Sequence, residues 1–186
     1  MLTTLENDFD NGFLNALRAP ARAATIAAAD DCYGWMIGTW EMDVLHYRVG
    51  LGGVRRRGEI HCGWVLEGRA VQDVWIMPPG DHPDDPAAAH SMYGSTLRIW
   101  DPALQAWRVT FVNPATGQRN DLIGRRIGRD LVQIGTRADG TPIRWNFTEI
   151  TQDSFRWTGV ALAQDGVTWT LQAEFQARRS TPVSAR

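Results

Sequence analysis

The stretch VTWTLQAEFQA, residues 167–177, alternates apolar and polar side chains along its whole length. Side chains at every second position of a β-strand leave the same face of the sheet. The alternation therefore predicts a strand with one buried face. The side chains on that face are Val167, Trp169, Leu171, Ala173, Phe175 and Ala177.

The same period of two continues through most of the chain, as in WRVTF (107–111) and IRWNF (143–147). Turn-forming pairs such as Asp139-Gly140 and Asp165-Gly166 separate these segments, and Asp-Gly favours tight hairpins between antiparallel strands. The pattern predicts ten strands. They are expected near 37–47, 54–66, 69–77, 93–100, 106–112, 119–127, 130–136, 142–150, 153–162 and 167–177.

Ten strands with one apolar face must cover that face, either by closing into a barrel or by folding into a two-sheet sandwich. Hairpins in chain order favour the barrel, because a Greek-key sandwich needs long crossovers and closure removes exposed edges. We therefore predict an all-β fold, a single up-and-down antiparallel barrel over residues 37–179. The Ala-rich segment behind Pro20 predicts a helix near 20–32 within a lead-in at 1–36, and residues 180–186 form a tail.

Composition points away from several classes of function. The formal net charge is −2 with no basic block, so we expect neither nucleic-acid nor membrane-surface binding. The first residues lack the basic and apolar regions of a secretory signal. Cys32 and Cys62 lack CxxC spacing and fit reduced thiols in the cytoplasm, although the sequence leaves a disulfide between them open.

The nine tryptophans indicate either a bulky core or an aromatic-walled pocket. Five of them lie on the more apolar faces of their strands, so they share one interior. A barrel of this size can hold one small ligand. We predict a pocket for a small hydrophobic or aromatic molecule, whose candidate ligand-binding residues are Trp64, Trp75, Trp107, Phe111, Trp145, Phe147, Trp157, Trp169 and Arg125.

Gly38-Thr39-Trp40 opens the first strand and resembles the G-x-W motif of lipocalins and the wider calycin superfamily. Residues 35–177 are similar to small bacterial calycin-like proteins of unknown function. The resemblance implies that Trp40 covers the closed end of the barrel under an arginine that follows the last strand. We therefore expect Gly38, Trp40 and either Arg178 or Arg179 to close the barrel structurally, the arginine by a cation–π contact.

We expect no cofactor and no metal. Haem-binding nitrobindin, another relative that the resemblance suggests, holds its haem through a histidine near the C-terminus, whereas all four histidines here precede residue 91. His61 and Cys62 are adjacent on a strand and leave opposite faces, so they cannot share one ion. The loop at 77–91 carries Asp and His residues but is Pro-rich and aperiodic, and it is either a lid over the pocket or a surface insertion.

Two residues are candidates for acid–base chemistry. Asp73 shares a face with Trp75, so an inward carboxylate would lie in an aromatic cavity, where desolvation favours its neutral form. Tyr93 begins a strand beside the long loop, where its hydroxyl could donate at the cavity mouth. Arg125 shares a face with Asp121, so it either binds a ligand carboxylate or pairs with that residue.

Three hypotheses follow. The first is a barrel that binds a small hydrophobic molecule. The second is a cofactor-free enzyme, of cyclase or isomerase type, that acts on an apolar substrate in the same cavity with Asp73 as acid or base. The third is a homo-oligomer, such as a homodimer, formed through an outer strand face carrying Arg98 and Trp100. The fold does not choose among them.

Overall fold

Ten antiparallel strands follow one another along the chain, and the first pairs with the last to close a barrel. The computed structural model describes residues 12–47, 56–77 and 92–180. The strands are β1 Gly38–Tyr47, β2 Arg56–Val65, β3 Ala70–Met77, β4 Met92–Asp101, β5 Ala106–Asn113, β6 Gln118–Ile127, β7 Asp130–Thr136, β8 Pro142–Thr148, β9 Ser154–Leu162 and β10 Trp169–Arg179. The predicted ten-stranded up-and-down barrel is confirmed.

The alternating apolar faces read from the sequence point into the barrel on most strands. β9 is the clearest case, because Phe155, Trp157, Gly159 and Ala161 are buried while the residues that alternate with them are partly exposed. β3 also places Asp73 and Trp75 inside, opposite Cys62 and Ile60 of β2. The interior is therefore built from the side chains that the period of two selects.

The last strand departs from the prediction because it contains a β-bulge. The register of β10 with β9 shifts between Leu171 and Ala173. An extra residue at a bulge moves the side chains before it to the other face. Trp169 is consequently 37% exposed, and the Arg144 guanidinium lies 4.9 Å from its ring centroid. Of the residues predicted to face inward on this strand, only Ala173, Phe175 and Ala177 do so.

The helix predicted near 20–32 does not form. Residues 12–17 are helical, and short 3-10 turns follow at Ala28–Asp30 and Gly34–Met36. The Asp31 carboxylate accepts hydrogen bonds from the backbone N–H groups of Tyr33 and Gly34, a local pattern that competes with a continuing helix. No helix in the described part of the chain is long and apolar enough to cross a membrane.

The lead-in instead lies across one end of the barrel. Backbone hydrogen bonds join Ala19 to Trp64 and Ala23 to Gly68, at the end of β2 and in the turn behind it. Tyr33 and Met36 are fully buried in the same core cluster as the strands. We call this the closed end, and any cavity must open toward the opposite end.

Candidate functional site

The barrel contains a narrow cavity of about 80 Å³ between the core of the closed end and the opposite rim. Its walls combine a cluster of aromatic rings with a few buried polar side chains. The residues that line it include Trp75, Arg98, Phe111, Gln133, Trp145, Trp157, Gly159 and Phe175. A cavity with this mixture is the usual form of a small-molecule site.

The aromatic wall is a continuous network of ring contacts. Trp157 stacks on Phe175 with ring centroids 5.1 Å apart and an interplanar angle of 12°. Trp75 and Trp145 contact Trp157 at centroid distances of 5.8 and 5.6 Å, and Phe111 meets Trp145 edge to face. Such pairs contribute about 0.5–1.5 kcal/mol each beyond their area burial, so the wall is well fixed.

Gly159 leaves room for this wall. It lies opposite Trp145 on β8, and an added Cβ would be 2.8 Å from the Trp157 ring. A larger side chain here would have to displace an indole. The size of the cavity therefore depends on a glycine on an inward face.

A buried ion pair lies beside the cavity. The Arg98 Nη1 atom is 2.6 Å from Asp73 Oδ2, and the backbone N–H of Thr96 donates to Asp73 Oδ1 at 3.1 Å. Both charged side chains are essentially inaccessible to solvent. Arg98 and Thr96 line the cavity, whereas Asp73 does not. Asp73 therefore positions and neutralises Arg98.

Titratable groups around this pair are held in defined states. Burial opposes the charge on Arg98, but Asp73 beside it holds the pKa of the guanidinium above its ordinary value. Burial, aided by the Asp73 carboxylate, raises the pKa of the Cys62 thiol, and burial likewise raises the pKa of the Tyr33 hydroxyl. Arg98 is therefore charged at neutral pH, while Cys62 and Tyr33 are neutral.

The cavity mouth, formed by Gln118, Arg137 and Gln172, leads to a wider and shallower depression of about 900 Å³. The Arg137 Nη2 atom donates to Gln172 Oε1 at 3.5 Å. The mouth therefore presents a cation and two amides above an aromatic interior. The loop predicted at 77–91 as a lid or insertion lies almost wholly outside the described residues.

The closed end is sealed by Trp40 and an arginine, but the arginine is Arg179. Its guanidinium carbon lies 4.1 Å from the Trp40 ring centroid, and its nitrogens donate to the carbonyls of Trp35, Ile37 and Gln152. Gly38 has a φ of +126°, and an added Cβ would lie 2.7 Å from Arg179 Nη1. Arg178 is exposed because alternation on β10 turns it outward.

The structure divides the predicted ligand-binding residues into three groups. Trp75, Phe111, Trp145 and Trp157 line the cavity. Three others belong to the core of the closed end, where Trp107 contacts Tyr33 and Phe147 contacts Trp35. The third of these is Trp64, whose carbonyl accepts the backbone N–H of Ala19. Trp169 and Arg125 are on the outer surface.

Several sequence-based assignments of a face are wrong. Arg125 lies on the outer face of β6 and donates to the Leu104 carbonyl, while Asp121 is 3.2 Å from Arg119 instead. Tyr93 is 50% exposed on the outer face of β4, away from the cavity. The face of β4 that carries Arg98 and Trp100 points inward, so it cannot serve as an oligomer surface. On β6 the buried inward positions are Asn120, Leu122 and Gly124, so the face that carries Ile123 and Arg125 is the outer one.

Sequence reasoning missed Arg98 and Gln133 as cavity residues because polar side chains usually indicate the solvent face. The signal for Arg98 was the inward Asp73 on the neighbouring strand, since a buried carboxylate needs a cation. Within the described ranges no group of three or more His, Cys, Asp or Glu side chains comes together. The residues of the acidic loop from 81 to 90 lie outside those ranges. Cys32 and Cys62 are both free thiols.

The fold is similar to that of known solved structures over most of the chain. The chain matches the S-type phycobiliprotein lyase CPES from Guillardia theta with a TM-score of 0.52 and 10% sequence identity, over 83% of this chain and 94% of that chain. No family model and no curated protein matches it. A structural likeness at this identity shows the fold, a calycin-like ten-stranded barrel, and no more.

Proposed function

We propose that this protein binds a small planar aromatic or conjugated molecule in the barrel cavity. The observation that carries the proposal is the aromatic wall of Trp75, Trp145, Trp157 and Phe175 beside buried polar groups. Flat apolar ligands gain from stacking and shape on such a wall, and a few polar groups orient them.

The dimensions limit the ligand. Drug-sized molecules occupy pockets of roughly 300–1,000 Å³. The cavity of about 80 Å³ therefore holds only one part of a flat ligand, and the rest of the ligand must extend through the mouth into the depression outside. The end that passes Arg137 meets a positive charge, which favours an acidic or strongly accepting group there.

The contacts of Asp73 favour binding over acid–base catalysis by this residue. Both of its oxygens have partners, and it does not line the cavity. Tyr93, the other catalytic candidate, lies on the outer face. The resemblance to a phycobiliprotein lyase agrees with binding of a small hydrophobic molecule but does not carry the proposal, because proteins of one fold serve many functions.

Titration of the protein with polycyclic aromatics and linear polyenes, beginning with naphthalene, tests the proposal. We expect ligands in the cavity to quench the emission of the tryptophans that line it. Equilibrium dialysis provides an independent measure of binding. If no compound changes the emission or is retained in dialysis, the proposal is wrong.

A matched pair of glycine variants locates the binding. Gly159→Val places a side chain against Trp157 and should weaken binding by about tenfold or more, since overpacking costs about 1–3 kcal/mol. Gly63→Val is the control, because an added Cβ on this β2 residue meets no atom within 4 Å. Equal affinity of the two folded variants for naphthalene would place the ligand outside the cavity.

A further inference from the structure

The cavity wall carries buried polar atoms that have no hydrogen-bond partner among the residues the structure describes. Gln133 is fully buried, and neither its Oε1 nor its Nε2 has a partner. Arg98 Nε and Trp75 Nε1 also lack a hydrogen-bond partner there, and these two residues are only 2% and 5% exposed. Leaving such a group unpaired costs about 1–3 kcal/mol, so these groups indicate a polar guest in the cavity.

The unpaired atoms define what that guest must offer. Trp75 Nε1 and Arg98 Nε are donors, whereas the Gln133 carboxamide presents one donor and one acceptor side by side. Asp73 already balances the charge of Arg98, so a second buried anion would lack a counter-ion. The complementary group is therefore neutral, with more than one acceptor and one adjacent donor.

The position of Gln133 relative to the aromatic wall restricts the geometry further. Gln133 on β7 lies directly opposite Trp145 on β8. Cross-strand neighbours have Cβ atoms roughly 4.5–5.5 Å apart. A ring that lies against Trp145 thus brings its edge within reach of the Gln133 amide. On its other side Gln133 faces Gly124 of β6, where the Tyr33 hydroxyl fills the space that a side chain would occupy, so a ligand reaches the Gln133 amide from the Trp145 side.

We propose that Gln133 recognises the cis-amide edge of a planar ring, the adjacent N–H and C=O of a lactam or cyclic imide. The proposal rests on the binding function above and names its ligand class. Gln133 Nε2 donates to the ring carbonyl, and Gln133 Oε1 accepts from the ring N–H. Arg98 and Trp75 donate to a further carbonyl of the same ligand. A bidentate carboxamide contact of this kind discriminates strongly between partners.

The test compares three probes with the same flat shape: isoquinolone, which has a lactam edge, N-methylisoquinolone, which lacks the N–H, and naphthalene, which lacks both polar groups. Affinities come from tryptophan quenching and equilibrium dialysis. The wild-type protein should bind isoquinolone about tenfold or more tightly than its N-methyl derivative. Gln133→Leu should bind the two equally while retaining naphthalene.

Gln176→Leu is the control variant, since Gln176 donates to the Phe155 carbonyl outside the cavity, and it should keep the wild-type preference. Naphthalene binding without any preference for isoquinolone in the wild type would overturn this proposal and leave the binding function standing. If neither these three probes nor any other compound of the panel binds, the binding function is wrong, and this proposal fails with it. The wild-type comparison decides the matter even if Gln133→Leu does not fold.

Discussion

Asp73→Asn should be the most destabilising conservative change in this barrel. The substitution keeps the shape of the side chain and an acceptor for the Thr96 N–H, but it removes the negative charge 2.6 Å from Arg98 Nη1. Two unit charges about 4 Å apart interact by about 4 kcal/mol at an effective dielectric constant near 20. Removing one partner of a buried pair typically costs about 3–5 kcal/mol, because the other charge stays buried without compensation. We expect a loss of that size.

Urea unfolding followed by tryptophan emission measures this loss as a lower midpoint at unchanged m. Asp121→Asn is the matched control, since its carboxylate pairs with Arg119 on the exposed surface, where such pairs contribute at most about 1 kcal/mol. Replacing both members, as Asp73→Leu with Arg98→Met, should recover most of the lost stability. Two results would show that the two residues are not a coupled buried pair. One is a loss of stability in Asp73→Asn no larger than that in Asp121→Asn. The other is a loss in the double variant equal to the sum of the losses in Asp73→Leu and Arg98→Met measured separately.

Three further outcomes can be checked by the same unfolding measurement or by its dependence on pH. Arg179→Met should lower the free energy of unfolding by about 2–4 kcal/mol, because it removes charged hydrogen bonds to backbone carbonyls and the cation–π contact with Trp40. The exposed neighbour is the control: Arg178→Met should lower it by less than about 0.5 kcal/mol. Since burial raises the pKa of Cys62, the folded state holds a proton that the unfolded thiol releases, so stability is full below about pH 8.5 and falls above it. Cys62→Ala should reduce that slope by up to about 1.4 kcal/mol per pH unit, and an unchanged slope would contradict a thiol that stays neutral in the folded state.

Much of the architecture could be predicted because alternation is a local property. Most strands show their period of two in their own residues, and turn-forming pairs such as Asp139-Gly140 and Asp165-Gly166 mark some of the hairpins between them. The lead-in was not predictable in the same way. Its Ala content favours a helix, but Asp31 captures the backbone N–H groups of Tyr33 and Gly34, and contacts with the barrel end determine the rest.

The candidate site was harder to predict, because some of its polar residues lie on inward faces, whereas reading a strand by alternation assumes that polar residues face solvent. Arg98 lies on the inward face of β4. Its burial is tolerable mainly because of Asp73, which is some 25 positions earlier in the chain but on the neighbouring strand of the sheet. The bulge in β10 has the opposite effect, since it moves Trp169 outward without breaking the alternation in the sequence.

A binding cavity in a barrel requires both departures from simple alternation, polar residues on inward faces and an irregularity such as the bulge in β10. Ten inward apolar faces with no polar residues would form a dry core without directional contacts, and an aromatic wall alone would accept any flat molecule. Asp73 neutralises Arg98, so Arg98 can be buried as a hydrogen-bond donor without adding net charge to the interior. Gln133 then adds a donor and an acceptor beside Trp145, at the cost of two unpaired atoms when the cavity holds no polar group. The barrel should therefore unfold at higher urea concentration with isoquinolone than with the same free concentration of naphthalene, because only the lactam binds more tightly by pairing those atoms.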